Sequence, residues 1–519
     1  MDRDKCKKIY TLALILGISF FSVFASFMWQ GNKGFSLWDE GYLWYGVQRV
    51  LLGEVPIRDF MAYDPGRYYW SATLLSIIGS NGIMALREVV AIFQALGLFV
   101  GLLLIAQSEK RKSKSSLIFW IMSAGILVVW MYPRHKLFDI SLSIFLIGCL
   151  TFLIKNPIPK RYVIAGIGVG LVAVFGRNHG VYGALGSIGV VAWLSIRSSA
   201  QPSFLKGLVL WGAGVAIGFL PVILMLLLIP GFAIAFWDSI RFLFEWGATN
   251  LPLPVPWPWT VNFSSIPTSA AIHALLLGLF FVALLVFGGL AVVWVCKRRF
   301  QGEPVPSVLA AAAFLAFPYA HYAFSRADIG HLALGIFPFL IGCLVILAVS
   351  TSRIKWFFTT ALLVASVWVM HVMHPGWQCF TSQCVDVEIS GSKLLVEPNT
   401  GSDIELLRRL VKLYASNGRS FVVTPTWPGA YALLGRKSPM WEIYALVPRS
   451  DAFQKKEIER IKATKPGFVL VFNWALDGHD KLRFKNTHPL IYQYILDNFE
   501  PISDFYNSTY QVYKPKISG

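Results

Sequence analysis

Charged residues are scarce in this chain of 519 residues, because only 14% of them are Asp, Glu, Lys or Arg. Soluble domains carry about 25%, so the scarcity excludes a chain that is water-soluble along its whole length. Acids are the rarer sign, with 28 against 46 Lys and Arg, and the formal net charge is +18. Hydrophobic residues make up 55%, and the mean hydropathy is +0.58. The composition predicts a polytopic α-helical membrane protein with aromatic interfacial belts.

Cysteine is also rare, with six in the chain. Cys6, Cys149, Cys296 and Cys343 are scattered through apolar segments and loops and are interpreted as apolar residues. The other two stand close together in "WQCFTSQC", on the side of the membrane that is interpreted below as oxidising. A small disulfide and two free thiols both fit this pair, whereas a metal site would need ligands that the stretch lacks.

Eleven apolar segments approach the roughly 20 residues of a membrane span. They are 9–29, 83–106, 116–132, 137–154, 162–176, 181–196, 207–230, 270–295, 306–322, 331–350 and 356–373. Lys and Arg concentrate in alternate loops, namely "MDRDKCKK", "EKRKSK", "KNPIPKR", "RSSAQPSFLK", "CKRR" and "SRIK". Because such loops remain cytoplasmic, we expect a plasma (inner) membrane protein with its N-terminus inside and its C-terminus outside. This placement accounts for much of the net charge, so nucleic acid is not expected as a partner.

The chain after the last span has a different composition. Two short apolar runs, "RSFVVTP" and "GFVLVFN", are typical of strands, and they alternate with helical patterns at "SDIELLRRLVKLYA", "DAFQKKEIERIKA" and "LIYQYILDNF". Residues 1–374 are therefore predicted to form a transmembrane domain, and 375–519 a small extracytoplasmic α/β domain. No Gly-rich phosphate loop and no internal repeat is visible in 375–519.

The first outer loop, "SLWDEGYLWYGVQRVLLGEVPIRDFMAYDPGRYYW", is rich in acids for so apolar a chain. Two helices at the outer interface are predicted in and after it, near 40–52 and 68–80, the second being too short to span. Asp39 is expected at the N-cap of the first and Gly53 just after its last turn. Leu43, Val47, Val50 and Leu51 form a stripe that we expect to face lipid.

Further ionisable residues gather at the outer ends of the predicted spans, where they are costly and therefore suggest function. The candidate substrate-binding residues are Arg134, His135 and Lys136 in "YPRHKLFD", Arg177 and His179 in "FGRNHGVYG", and Arg326, Asp328 and His331 in "FSRADIGHLAL". Arginine and lysine suit a lipid phosphate, and a carboxylate suits the proton of an attacking hydroxyl. Interfacial snorkelling and an internal Arg–Asp pair are the structural alternatives for these side chains.

These features resemble the bacterial GT-C class of membrane glycosyltransferases, including the family 39-like protein O-mannosyltransferases and the aminoarabinose transferases. The resemblance is carried by "WDEG" at the start of the first outer loop, the interfacial helices, the many spans and the C-terminal outer domain. It implies that Asp39, with Glu40 beside it, is the catalytic base or orients the acceptor. Asp59 and Asp64 are candidate ligands of acceptor or sugar, or turn residues, and Arg58 and Arg67 either join them in binding or pair with them.

The expected function is inverting transfer of a sugar from a polyprenyl-phosphate donor to a hydroxyl of a glycan, lipid or protein acceptor on the extracytoplasmic face. Fixed cations can stabilise a phosphate leaving group, so no metal is required and no metal ligand is assigned, although the acids could also hold a divalent cation. An O-antigen polymerase or ligase is the rival enzyme. A transporter is the other rival, but the sequence lacks the paired interruptions of repeated halves that transporters show.

Overall fold

The structure is a computed structural model that describes residues 3–109, 114–196, 202–247, 250–505 and 509–516. Three of the basic segments used for topology, those at 1–8, 109–114 and 197–206, lie partly outside these residues. The chain divides into two compact units. The helical unit comprises 1–31, 87–233 and 237–378, and the mixed unit comprises 32–86, 234–236 and 379–519.

Helices predominate along the chain, and within the described residues the strands all lie after residue 384. The α-helices are α1 Arg3–Gln30, α2 Asp39–Leu51, α3 Pro65–Ile78, α4 Ile83–Ser108, α5 Lys114–Trp130, α6 Leu137–Lys155, α7 Pro159–Phe175, α8 Arg177–Ser195, α9 Phe204–Gly218, α10 Leu220–Leu228, α11 Phe232–Trp246, α12 Thr268–Gln301, α13 Ser307–Ser325, α14 Ile329–Gly335, α15 Phe337–Val349, α16 Ser352–Met370, α17 Pro375–Thr381, α18 Pro398–Tyr414, α19 Gly429–Leu433, α20 Asp451–Thr464, α21 Phe484–Thr487 and α22 Pro489–Asn498. The strands are β1 Val385–Ile389, β2 Ser392–Val396, β3 Val422–Thr424, β4 Val469–Phe472, β5 Phe499–Pro501 and β6 Tyr510–Pro515.

Each predicted span coincides with one of these helices or with a consecutive pair of them. Among the described residues, α1, α4, α6, α12, α13 and α16 are long and apolar enough to cross a membrane. The pairs α9–α10 and α14–α15 raise the number to eight if each counts as one span, and each pair is bent by 56°. Both bends precede a proline, Pro221 or Pro338, which cannot donate the helical hydrogen bond. The polytopic membrane fold is thus confirmed, while the count of eleven stays a prediction.

Helices α7 and α9 pack backbone to backbone through glycines spaced by four residues. A Cβ added at Gly166 or Gly170 would lie 2.0 or 2.3 Å from a carbonyl oxygen of α9, and one at Gly214 or Gly218 would lie 2.1 or 2.2 Å from a carbonyl oxygen of α7. Small residues at this spacing let membrane helices approach closely and so increase their van der Waals contact.

The mixed unit contains two sheets. Strands β1 and β2 form an antiparallel hairpin, and the second sheet has the order β3-β4-β6-β5. Strands β3 and β4 are parallel, whereas β6 is antiparallel to both of its neighbours. Helices α20 and α22 contribute Ile461, Ile491 and Ile495 to the apolar core beneath this sheet. The α/β character of the C-terminal region is confirmed, with β3, β4, α18, α20 and α22 in the predicted places.

The mixed unit also contains the loop predicted to be the first outer one, since residues 32–86 group with 379–519. The predicted domain boundary between 374 and 375 stays a prediction. The uncertain cysteine pair is settled, because Cys379 and Cys384 form a disulfide.

Two expectations for α2 are wrong. Leu43 and Val47 are only 1% and 0% exposed, so this half of the stripe lies inside protein instead of facing lipid, and Val50 and Leu51 are half-buried. The reason is that α2 packs against α3 and α19 and buries most of its circumference. Asp39 is the first residue of α2, and its N-cap is Trp38. Gly53 follows the helix with φ of 85°, as predicted.

Candidate functional site

The carboxylate of Asp39 lies in the first turn of α2 and is partly buried. The hydroxyl of Tyr444 donates a hydrogen bond of 3.3 Å to its Oδ1, and its backbone N–H donates to Ser36 Oγ at 3.3 Å. A helix N-terminus stabilises negative charge, and so does a hydrogen bond donated to a carboxylate. The carboxylate of Asp39 is thus held at a helix N-terminus beside the hydroxyl of Tyr444.

The glycine of the "WDEG" motif, Gly41, stands where the packing leaves no room for a side chain. A Cβ at Gly41 would lie 2.4 Å from the Cα of Gly429, and one at Gly429 would lie 2.8 Å from the Cα of Gly41. The backbone N–H of Gly429 also donates to the carbonyl of Leu37 at 2.9 Å. The start of α2 is therefore held directly against α19, which fixes the backbone that carries Asp39.

Aromatic rings surround this turn. The ring of Trp38 lies 5.2 Å from that of Trp474 and 6.4 Å from that of Tyr444, measured between centroids. The ring of Tyr42 lies 4.8 Å from that of Tyr63 and 5.8 Å from that of Tyr444. Burial raises the pKa of Tyr42 well above its ordinary value, so it remains neutral. Tyrosine and tryptophan offer both apolar faces and polar tips, a combination suited to a sugar.

The remaining first-loop candidates belong to the same unit. Glu40 is buried beside Asp39. Arg58 donates to both oxygens of Asp59 at 2.8 Å, and this bond lowers the pKa of the Asp59 carboxyl. Asp64 occupies the N-cap of α3, and the guanidinium of Arg67, which is 2% exposed, lies 4.7 Å from the centroid of the Tyr63 ring. The Arg58–Asp59 pair favours the pairing alternative for these two residues.

Arg134, His135 and Lys136 form a 3₁₀ turn that leads into α6. The guanidinium of Arg134 donates to the backbone carbonyl of Gln30 and lies 5.9 Å from the centroid of the Tyr132 ring. His135 is buried, whereas Arg134 and Lys136 are partly exposed. This turn places two cations at the start of one membrane-length helix.

Arg177 and His179 lie in the first turn of α8 but in different surroundings. The guanidinium of Arg177 donates to Ser239 Oγ at 2.8 Å and is partly exposed. His179 is fully buried, with Nε2 2.9 Å from Asp139 Oδ1 and Nδ1 2.8 Å from the hydroxyl of Tyr319. Both ring nitrogens are engaged by protein groups, so the contacts of His179 favour a structural role over substrate binding.

Arg326, Asp328 and His331 form a local ion network before α14. The guanidinium of Arg326 donates to Asp328 Oδ2 at 2.9 Å, and the backbone N–H of His331 donates to Asp328 Oδ1 at 2.8 Å. Nδ1 of His331 also lies 2.9 Å from Asp328 Oδ1, and Arg326 donates further to the carbonyl of Leu251 at 3.1 Å. This is the internal pair that the sequence offered as the structural alternative.

The structure therefore divides the predicted site residues by unit. Asp39, Glu40, Arg58, Asp59, Asp64 and Arg67 belong to the mixed unit, and the eight others belong to the helical unit. The assignment of all of them to a substrate remains a prediction. Among the described residues, no group of three or more His, Cys, Asp or Glu side chains has the geometry of a metal site.

Sequence reasoning missed Tyr444 and Trp474. The bond from Tyr444 to Asp39 spans 405 positions of the chain, and "MWEIYALVP" carries no pattern that links it to the first loop. The only available signal was the density of aromatic residues in both stretches.

No protein-family model and no curated protein matches the chain. Among solved structures, it is similar to ArnT from Cupriavidus metallidurans bound to undecaprenyl phosphate, with a TM-score of 0.56 at 13% identity over 98% of each chain. Two further likenesses have TM-scores below 0.5 and support no conclusion. They are the Archaeoglobus fulgidus oligosaccharyltransferase tethered with an acceptor peptide (0.46, 12% identity, 97% of this chain and 74% of that one) and the mycobacterial arabinofuranosyltransferase AftD (0.42, 14% identity, 97% and 41%). The whole chain thus has the GT-C-like fold of a polytopic membrane protein with a small C-terminal sheet domain.

Proposed function

We propose that this chain is a glycosyltransferase that moves a sugar from a polyprenyl-phosphate donor to an acceptor hydroxyl on the extracytoplasmic face of the plasma (inner) membrane, with inversion at the anomeric carbon. The proposal rests on one observation, the partly buried carboxylate of Asp39 in the first turn of α2 with the Tyr444 hydroxyl bonded to it. The likeness in fold to an ArnT structure that holds undecaprenyl phosphate supports it by analogy.

In the proposed reaction, Asp39 accepts the proton of the acceptor hydroxyl. The hydroxyl oxygen forms a bond to the anomeric carbon while the bond from that carbon to the phosphate oxygen breaks. Polyprenyl phosphate leaves with the electron pair. The aromatic side chains near Asp39 suit the apolar face of a sugar ring, and the buried Glu40 beside it is the second candidate acid.

The phosphate of the donor requires cations, and we assign this role to the partly exposed Arg134, Lys136 and Arg177 of the helical unit. Each of them lies within one turn of the start of α6 or α8. This position supports the assignment, because the partial positive charge of a helix N-terminus also favours an anion. Arg326 is a weaker candidate because its charge is already paired with Asp328. No step of this scheme requires a metal ion.

The substitution Asp39→Asn tests the proposal. It keeps the size and polarity of the side chain but removes the basic carboxylate, so we expect transfer to fall by about 10²–10⁴-fold, with donor binding unchanged. The measurement is single-turnover transfer from a radiolabelled polyprenyl-phosphate sugar by purified enzyme in lipid nanodiscs. The donor is identified by lipid profiling of a strain that lacks this protein, in which we expect the unused polyprenyl-phosphate sugar to accumulate.

Glu40→Gln is the matched control, because it makes the same change at the neighbouring residue. We expect a loss of less than about tenfold for it, since only one carboxylate is needed as base. Wild-type turnover in Asp39→Asn would remove the proposed base. An unchanged lipid profile in the deletion strain would remove the proposed donor.

A further inference from the structure

The mixed unit contains a cavity of about 410 Å³ that the transfer scheme does not use. It is lined by the segment after α19, by the last turn of α20, by the loop before β3 and by Asp59 of the first outer loop. Its volume lies within the range of small-molecule pockets. Three cationic side chains line it, namely Arg436, Lys437 and Arg460, against one carboxylate.

Most of these charges are balanced by neighbours. Asp59 is paired with Arg58 at 2.8 Å, Lys437 is paired with Glu54 at 2.6 Å, and Arg460 is paired with the buried carboxylate of Glu457. Glu54 is also paired with Arg49, so two cations share its one carboxylate. The cavity lining and its partners therefore carry a net positive charge, to which Arg436 adds a cation outside these pairs.

Arg436 differs from the other cations. Its Nε is buried and has no hydrogen-bond acceptor, and its guanidinium makes no ion pair within the part of the chain that the structure describes. The other N–H groups of this guanidinium belong to a partly exposed side chain that lines the cavity. An oxyanion in the cavity would accept hydrogen bonds from these N–H groups and supply the missing negative charge.

The last turn of α20 carries partial negative charge toward the same cavity. Its carbonyl groups are already occupied by donors, since Ile461 accepts from Thr464 Oγ1 at 3.0 Å and Thr464 accepts from Ser420 Oγ at 3.2 Å. The hydroxyl groups of Ser420 and Ser438 and the indole of Trp441 also line the cavity. Such polar and aromatic groups suit the hydroxyls and the apolar face of a sugar.

We propose that this cavity binds a sugar bearing an oxyanion, either a phosphate or a carboxylate, with Arg436 as its principal cation. The site requires neither Asp39 nor a lipid donor. Binding is therefore expected even if the proposed transfer reaction proves wrong.

Isothermal titration of the purified full-length protein in nanodiscs tests this site with four probes: glucose 6-phosphate, glucuronate, inorganic phosphate and glucose. We expect saturable binding of glucose 6-phosphate or glucuronate, with the stronger of the two identifying the phosphate or the carboxylate as the anion. Glucose is expected to bind at least about tenfold more weakly, because a charge-assisted bond is lost.

Arg436→Gln is expected to weaken binding of the anionic sugar by at least about tenfold, and Arg436→Lys to weaken it less because the charge is kept. Lys456→Gln removes one charge from an exposed position of α20 that does not line the cavity, so its affinity should equal that of the wild type. Thermal unfolding without ligand checks that the variants fold.

Three results would overturn the proposal. They are the absence of saturable binding of both anionic sugars, equal affinity for glucose and the anionic sugars, and equal affinity in Arg436→Gln and Lys456→Gln. If inorganic phosphate binds as tightly as glucose 6-phosphate, the proposed recognition of the sugar is wrong and only the proposed recognition of the oxyanion stands.

Discussion

The two units contain the same arrangement of side chains, a buried histidine hydrogen-bonded on one side to a carboxylate and on the other to a hydroxyl. In the helical unit, His179 lies between Asp139 at 2.9 Å and Tyr319 at 2.8 Å. In the mixed unit, His488 lies between Glu442 at 2.9 Å and Thr487 at 2.9 Å. Both histidines are 0% exposed. Satisfying both ring nitrogens is what burial demands of a histidine in either setting.

The two arrangements differ in the further hydrogen bonds of the residue that supplies the carboxylate. The other oxygen of Glu442 accepts from Arg449 Nε at 2.6 Å, and the backbone N–H of Glu442 donates to Glu457 at 3.1 Å. Tyr444, which is bonded to Asp39, follows Glu442 by two residues. The histidine network of the mixed unit therefore anchors the segment that contacts the proposed base. This gives a buried ion network a positioning role that could not be assigned from net stability alone.

The largest expected effect comes from Glu442→Ala. It leaves Arg449 and His488 without their buried carboxylate, and breaking a buried pair by removing one partner costs about 3–5 kcal/mol. We expect the free energy of unfolding of the mixed unit to fall by that amount and transfer to be lost with it, because the Tyr444 segment is released. Denaturant unfolding followed by tryptophan fluorescence measures the first effect, and the transfer assay measures the second.

Glu459→Ala is the matched control, because Glu459 is exposed on α20 and pairs with Lys462 at 2.8 Å. Surface pairs contribute little, so its unfolding curve should follow that of the wild type. Glu442→Gln keeps an acceptor for His488 and should lie between the two. Coincident curves for Glu442→Ala and Glu459→Ala would show that the network does not stabilise the unit.

A smaller effect is expected from His179→Gln, which tests whether the helical unit uses its histidine for substrate. The amide cannot reach both Asp139 and Tyr319 as the ring does, so we expect a loss of about 1–3 kcal/mol in stability with the KM for the lipid donor unchanged. Melting temperature and KM are measured on the same preparation, and His488→Gln serves as the comparison. A raised KM at an unchanged melting temperature would instead make His179 a substrate ligand.

The fold could be predicted from the sequence where one simple force decides it. Apolar length predicted the helices, and the apolar runs of "FVVT" and "FVLVF" predicted β3 and β4, because burial of those residues leaves few alternatives. The hairpin of β1 and β2 and the strands β5 and β6 were missed, since their residues are less apolar and the pairing of β6 depends on a distant partner. The prediction that an apolar stripe of α2 faces lipid was wrong, because the periodicity of apolar residues does not show whether they pack against lipid or against protein.

The candidate site was predictable only in part, for a similar reason. The sequence singles out Asp39 by its place after the first span, but the Tyr444 hydroxyl that contacts it comes from a residue 405 positions away. His179 was proposed as a ligand from its place beside a span, whereas His488 drew no attention in "NTHPL". Their surroundings are alike, so a position near the membrane is weak grounds for a functional assignment.

The smallest expected effect concerns the loop between α2 and α3, where Arg58 lowers the pKa of Asp59. The carboxyl titrates at lower pH in the folded protein than in the unfolded chain, where its pKa is about 3.9. The Arg58–Asp59 pair therefore stabilises the fold above about pH 4, and this contribution is lost as the pH falls through the pKa of the folded state. Partly exposed pairs contribute at most about 1 kcal/mol. Unfolding midpoints measured from about pH 6 to about pH 3 should consequently fall more steeply in the wild type than in Asp59→Asn. Parallel profiles would show that the pair makes no contribution to stability, and Asp59 would then remain available as a substrate ligand.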